Sequence, residues 1–249
     1  MYPVICSFGP VKIYSYGLMV AAAVMAVYAY ALYRAEGDHL DKDIIKSLFP
    51  IALLTGLIGA RFLFVVTNAD YYRKNLSQII LINQGGLSIF GGFVLAFLVL
   101  ACYLCFRGYD WVRYADFLTP KLFLGQAIGR IGCFLNGCCY GKTLLSAGAP
   151  GAGSEGIVIP AQLISAGLLF GIFIILEFAL KEKVRKRGAL TSLALGFYAV
   201  FRFGIEYLRG DNTALFMGLT LGQMISVALF AFAIVFWLLI GSGGDRKEN

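Results

Sequence analysis

Charge is what this sequence has little of. Only 14% of its 249 residues are Asp, Glu, Lys or Arg, whereas a soluble globular domain carries about 25%. With a mean hydropathy of +0.79, that shortage excludes an ordinary soluble protein, although length alone would suggest one or two soluble domains. Histidine is almost missing. His39 is the single one, and it reads as a solvated residue in a loop between apolar runs. No cleavable signal peptide is expected, because Lys12 is the only basic residue before the first apolar run and no clear cleavage site follows it. The six cysteines include an adjacent pair, and most lie in apolar segments, so they do not read as a disulfide framework. Low-complexity segments and short repeats are not evident, and the polar tail from Gly241 to Asn249 reads as frayed.

What is present is a series of apolar runs long enough to cross a bilayer, which takes about 20 helical residues. Seven spans are expected: Tyr16–Tyr33, Leu48–Val66, Ile89–Phe106, Tyr114–Leu135, Pro160–Leu180, Ala189–Leu208 and Leu219–Ile240. The fold class is therefore an all-α polytopic membrane protein, one transmembrane domain over residues 1–249. The net charge of +7 does not point to nucleic acid, because the basic residues cluster in short loops between the runs. One side holds Lys12, Arg73, Lys74, Lys142 and Arg209, while the other holds twelve Lys or Arg. The positive-inside rule makes the richer side cytoplasmic, with the N-terminus outside and the C-terminus inside.

Four basic residues remain within spans: Arg61, Lys121, Arg130 and Arg202. Arg61 lies 13 residues beyond Leu48, Arg130 16 beyond Tyr114, and Arg202 13 beyond Ala189. At about 1.5 Å per residue, each is roughly 20–24 Å from the cytoplasmic start of its span, in the outer half of the bilayer. An arginine at the bilayer centre costs at least about 2.5–3.5 kcal/mol. A single one can be a structural ion pair, and Arg202 with Glu206 at i+4 has that spacing. Three at one depth with one nearby carboxylate point to an anionic ligand. Guanidinium presents a planar fork of donors matched to phosphate, so an outer-leaflet phospholipid headgroup is the economical candidate. Asp116 and Glu177 fall near the cytoplasmic side and are poor partners for these arginines. The glycines near Arg130 and in Gly85–Gly92 read more simply as helix-packing residues than as a ligand cradle.

Cys133, Cys138 and Cys139 follow Arg130 in the pattern C-x4-C-C. Small buried hydrophobes, a redox or soft-metal role, and direct participation in binding or covalent chemistry are all open to them. The spacing is not that of a usual structural zinc site.

Taken in order, several short motifs resemble the prolipoprotein diacylglyceryl transferases, seven-helix inner-membrane enzymes of bacteria. Tyr16-Gly-Leu-Met19 resembles a tyrosine–glycine element of the first helix. Gly59-Ala-Arg61 resembles the GAR element, and Gly85–Ser88 with Gly91-Gly92 resembles GGLSFHGG. Gly129–Gly132, Phe134, Asn136-Gly137 and Gly141 match most of GRxGNFxNGExxG. Pro160–Leu163 resembles part of HPxQLYE, Arg202–Arg209 resembles RFxxExxR, and Gly222-Gln223 matches a late glycine–glutamine pair.

The resemblance implies transfer of diacylglycerol from phosphatidylglycerol to the lipobox cysteine thiol of a prolipoprotein, without a cofactor. It implies that Arg130, Arg202, Glu206 and Tyr16 are catalytic. It makes Arg61, Ser88, Gly91, Asn136, Gly141, Gln162 and Arg209 substrate contacts. The pattern departs at six positions. Phe90 replaces the histidine, Cys133 an asparagine and Cys138 a glutamate, and Ile159, Ile164 and Ser165 replace further polar positions. Two other functions stay open: a phospholipid-dependent transferase with another acceptor, and a lipid-binding or transport protein on the same scaffold.

Overall fold

In hydrocarbon every backbone N–H and C=O needs a partner within the chain, so an apolar segment of this length folds as helix. The computed structural model describes residues 4–8, 11–81, 85–139, 141–144, 157–184, 186–208, 214–216 and 218–241. The long helices are α1 (Ser15–Ala35), α2 (Lys42–Thr67), α3 (Ile89–Phe106), α4 (Trp111–Asn136), α5 (Ala161–Ile174), α6 (Ala189–Glu206) and α7 (Leu221–Gly241). A π-helical segment, Ile175–Leu180, continues α5. Six of these helical segments, all but α4, are long and apolar enough to cross a membrane. With 26 residues, α4 is about 39 Å long, yet Arg113, Asp116, Lys121 and Arg130 deprive it of a sufficiently apolar window. The fourth expected span is thus a helix whose polar side chains need partners.

Among the described residues, three short antiparallel hairpins lie between or before the helices of this all-α fold. They are β1 (Val4–Phe8) with β2 (Val11–Tyr14), β3 (Thr143–Leu144) with β4 (Ile157–Val158), and β5 (Ala214–Phe216) with β6 (Leu219–Thr220). Helix α2 begins six residues before the apolar run that announced it. The reason is its N-cap: Asp41 Oδ1 accepts from Asp43 N at 2.8 Å.

The chain forms two compact units, Ala31–Trp111 and the remainder. In the first, α2 and α3 touch through glycine. A Cβ on Gly91 would strike Gly59 O and Leu63 Cβ, one on Gly59 would strike Gly91 O, and one on Gly92 would lie 2.8 Å from Gly56 O. Small residues of this kind let transmembrane backbones approach closely. Asp41 also accepts from the Tyr109 hydroxyl at 2.8 Å. That bond and the cap hold its carboxyl below the usual carboxylate range, and the same bond holds the Tyr109 phenol above its own.

In the second unit, Phe123 and Ala127 of α4 pack with Leu169, Phe173, Leu176, Leu190, Ala194, Phe201 and Ile205. Two buried polar clusters are threaded through this unit. Lys121 Nζ donates to Phe117 O at 2.8 Å and to Glu177 Oε2 at 3.1 Å, and Lys181 Nζ reaches Glu177 Oε1 at 3.1 Å. Asp116 accepts from Gly188 N at 2.8 Å, Thr191 N at 2.8 Å and Thr191 Oγ1 at 2.7 Å. A buried charge is tolerated when it is paired and hydrogen-bonded. This is how α4 keeps Lys121 and Asp116 out of lipid.

Two expectations follow. Gly91→Leu forces α2 and α3 apart and lowers the melting temperature in detergent by the equivalent of about 1–3 kcal/mol or more. Gly171→Ala, whose Cβ meets nothing within 4 Å, leaves it unchanged or raised. The Asp41 contribution is present above the ordinary carboxylate pKa and is lost as pH falls through the lowered folded value. The hydrogen-exchange protection factor at the first turn of α2, corrected for the intrinsic pH dependence of exchange, therefore falls on acidification in the wild type, and Asp41→Asn flattens that response.

Candidate functional site

The site is built where α4 ends. Gly137, at φ 73, follows Asn136 in the left-handed conformation that glycine adopts without a Cβ penalty. Gly137 N donates to Phe134 O at 3.2 Å and Cys138 N to Cys133 O at 3.1 Å. These two bonds are the Schellman motif, in which the residues at C3 and C″ come into contact. Here those residues are Cys133 and Cys138. Cys139 then takes φ 60, unusual for a non-glycine residue. The three sulfurs end within 4.8 Å of one another, and none of the six cysteines is disulfide-bonded. Arg130, one turn before Cys133, acts electrostatically on both Cys133 and Tyr16. Gly132 lets α1 come close: a Cβ there would lie 2.8 Å from Met19 Cβ and 3.5 Å from Tyr16 Cδ2.

The turn after α4 is stitched to two other helices. Gln162 Nε2, in the first turn of α5, donates to Cys138 O at 2.8 Å. Gln162 is 1% exposed, and its Oε1 is buried without a hydrogen-bond partner. Gly141 N donates to Ile159 O at 3.1 Å and Lys142 N to Leu208 O at 2.8 Å, which ties the turn to the end of α6. Gly141 is needed for that closeness, since a Cβ would lie 2.7 Å from Leu208 O and 2.8 Å from Ile159 O.

Near the end of α6, Arg202 Nη2 pairs with Glu206 Oε2 at 3.1 Å across one turn. Glu206 Oε1 accepts from Thr220 Oγ1 at 2.9 Å. Thr220 is also the N-cap of α7, completing a capping box: Gln223 N donates to Thr220 Oγ1 at 3.3 Å and Thr220 N donates to Gln223 Oε1 at 3.0 Å. The carboxylate thus rests on a helix N-terminus, where the dipole favours negative charge. Gly222 makes the room, because a Cβ there would be 2.5–2.8 Å from the carboxylate atoms. Held this way, Arg202 keeps Nη1 buried and without a hydrogen-bond acceptor. Among the described residues no carboxylate pairs with Arg130.

These structural observations gain a context from known proteins. The family model described as prolipoprotein diacylglyceryl transferase matches residues 3–239. A phosphatidylglycerol–prolipoprotein diacylglyceryl transferase of Finegoldia magna is 32% identical over 225 residues, covering 88% of each chain. The enzyme of the same name from Dehalococcoides mccartyi is 32% identical, covering 95% of this chain and 92% of its own. That of Bacillus cereus is 31% identical, covering 97% and 93%. This chain belongs to the prolipoprotein diacylglyceryl transferase family.

Within that family frame, the other expected site residues divide. Arg61 is in the Ala31–Trp111 unit and gives all five N–H donors to backbone carbonyls. Nε meets Ile79 O at 2.9 Å, Nη1 meets Gly85 O at 2.8 Å and Gly86 O at 2.9 Å, and Nη2 meets Gln78 O at 2.6 Å and Leu81 O at 3.1 Å. Its geometry is that of a loop organiser. Gly91 is engaged in the α2–α3 contact. Ser88 N donates to Ala60 O at 2.9 Å, fixing the entry to α3. Asn136 and Gly141 shape the turn after α4. Phe90, at the family histidine position, is exposed. Arg209 and most of the outer loop expected to cover the site lie outside the described residues.

Thr220 was not among the expected site residues, and Gly222-Gln223 had entered only as a family pair. The Thr-x-x-Gln signature ahead of an apolar run is the signal that would have found the capping box. Gly222→Ala is expected to push Glu206 off the helix terminus and release Arg202. Steady-state turnover on phosphatidylglycerol should fall by about 10-fold or more, the scale of about 1.4 kcal/mol, while far-UV helicity is retained.

Proposed function

We propose that this protein transfers the diacylglyceryl group of phosphatidylglycerol to the lipobox cysteine thiol of a prolipoprotein. The observation that carries the reading is Arg202: a guanidinium fixed by Glu206, with a buried Nη1 that has no acceptor of its own. A phosphate oxygen is the acceptor that completes it. The acceptor thiolate attacks the glyceryl carbon that bears the phosphate ester, the C–O bond breaks, and glycerol phosphate departs. Negative charge accumulates on the departing phosphate, where preorganised donors contribute most. Arg202 and Arg130 supply those donors, Glu206 sets the plane of Arg202, and Tyr16 hydrogen-bonds the headgroup or ester. Gln162 Oε1 and Arg209 are further substrate contacts.

The finer topology belongs to the same proposal. It is a single transferase domain crossing the bacterial plasma membrane seven times, with α4 as the polar span, the N-terminus outside and the C-terminus in the cytoplasm. The loop charges support this orientation. The partners are the lipid and the prolipoprotein, not nucleic acid. A second reading, the same lipid chemistry with another acceptor, is favoured by one observation, the replacement of the family histidine by Phe90.

Purified protein given phosphatidylglycerol and a lipobox peptide should release glycerol phosphate and yield a thioether-lipidated peptide. Glycerol phosphate release without peptide modification would favour the second reading. Neither product, with an authentic family enzyme active in parallel, would refute the proposal. Arg202→Lys and Arg130→Lys keep the charge but lose the planar fork. Each is expected to lower kcat/KM by about 10²-fold, the usual effect of losing one transition-state donor. Wild-type rates in either variant would exclude a bidentate phosphate role for that residue.

A further inference from the structure

The sulfur cluster beside Arg130 is the largest feature that the family chemistry does not absorb. Cys133, Cys138 and Cys139 hold their sulfurs within 4.8 Å of one another. A tetrahedral zinc ion with Zn–S bonds of about 2.3 Å needs sulfurs about 3.8 Å apart, so the cluster must contract by no more than about 1 Å. The backbone is arranged for this. The Schellman turn brings Cys133 and Cys138 together, and Cys139 joins them from a left-handed conformation that side chains rarely adopt. Backbone strain of that kind clusters at ligand clamps.

Charge and coordination number point the same way. Three thiolates on a divalent zinc ion carry one net negative charge, and Arg130, three residues before Cys133 on the same helix, offers the opposing charge. Three protein ligands leave a fourth position open, the arrangement of reactive zinc sites, whereas structural ones are closed. Tyr16 and Arg130, the groups assigned to the lipid headgroup, both interact electrostatically with this cluster.

We propose that Cys133, Cys138 and Cys139 bind one zinc ion whose open position takes the acceptor cysteine of the prolipoprotein. This rests on the transferase reading above. A thiol that coordinates such an ion is deprotonated. The site thereby supplies what the imidazole at the Phe90 position would otherwise provide. Acceptor R–SH binds as R–S⁻ and its proton passes to water. A sulfur lone pair forms the C–S bond to the glyceryl carbon as the C–O bond to phosphate breaks, and the electron pair leaves with glycerol phosphate. Zinc stays divalent, and nothing is oxidised or reduced.

The test uses the full chain in lipid nanodiscs, reduced, stripped with chelator and titrated with Co²⁺ and then Zn²⁺. The expected result is one Co²⁺ per chain with thiolate-to-metal charge-transfer absorption, displaced by Zn²⁺. Cys133→Ser, Cys138→Ser and Cys139→Ser should each weaken binding by more than the roughly 10–100-fold that losing an outer partner of a metal ligand costs. Cys102→Ser should leave binding unchanged. A lipobox peptide carrying cysteine should shift the cobalt ligand-field bands, and its serine analogue should not.

Cobalt absorption that survives all three cluster variants would overturn the site, as would a disulfide within the cluster in protein that is active in transfer. Transfer at full rate in metal-free protein overturns the zinc inference and leaves the transferase reading standing. A peptide-responsive cobalt site without any lipidation by the zinc-loaded protein upholds a thiol-binding metal site and refutes the transferase reading.

Discussion

The pair between Arg202 and Glu206 is the interaction on which the site depends. An arginine in a membrane helix is costly unless its charge is answered, and a carboxylate one turn away answers it. The carboxylate is in turn held by the Thr220 hydroxyl and the start of α7. Thr220 can serve Glu206 and cap α7 together because Gln223 completes the box and Gly222 leaves space for the carboxylate. The result is a guanidinium paired on one side, with Nη1 buried and without a hydrogen-bond acceptor, the arrangement on which the proposed phosphate contact rests. Such preorganisation makes a cation more effective at a developing phosphate charge than a mobile one of equal charge.

Close backbone approach is the second constraint, and each unit uses it in its own way. Between α2 and α3 the glycines are packing devices, with Gly59 and Gly91 carrying each other's carbonyls at van der Waals range. In the other unit, Gly132 and Gly141 let α1, the end of α6 and the start of α5 crowd around the turn after α4. Glycine thus positions the chemistry there by what it leaves out.

The buried charges away from the site show why α4 can be helical and still unlike its neighbours. Lys121 lies against Glu177 and the Phe117 ring, 3.8 Å from the ring centroid. Asp116 gathers three donors from the start of α6. These groups replace lipid-facing apolar surface with internal pairing. Hydropathy therefore under-describes this helix, although its length and limits agree closely with the expected span.

By itself, the sequence determined the class of molecule and much of the frame. Apolar runs placed helices with limits that moved most where a cap extended them, as at Asp41. The i,i+4 spacing of Arg202 and Glu206 put them on one face, and the ordered motifs indicated the family. These are local properties, carried by composition and helical period. Only the tertiary structure decided which polar groups meet. Arg61, alike in depth and type to Arg202 on the linear reading, gives its five donors to carbonyls of residues 78–86. Thr220 reaches a carboxylate 14 residues away, and three cysteines in an unpromising spacing converge around a left-handed turn. Hydrogen-bond satisfaction and sulfur convergence depend on where the chain returns in space, and no periodicity along the chain encodes that return.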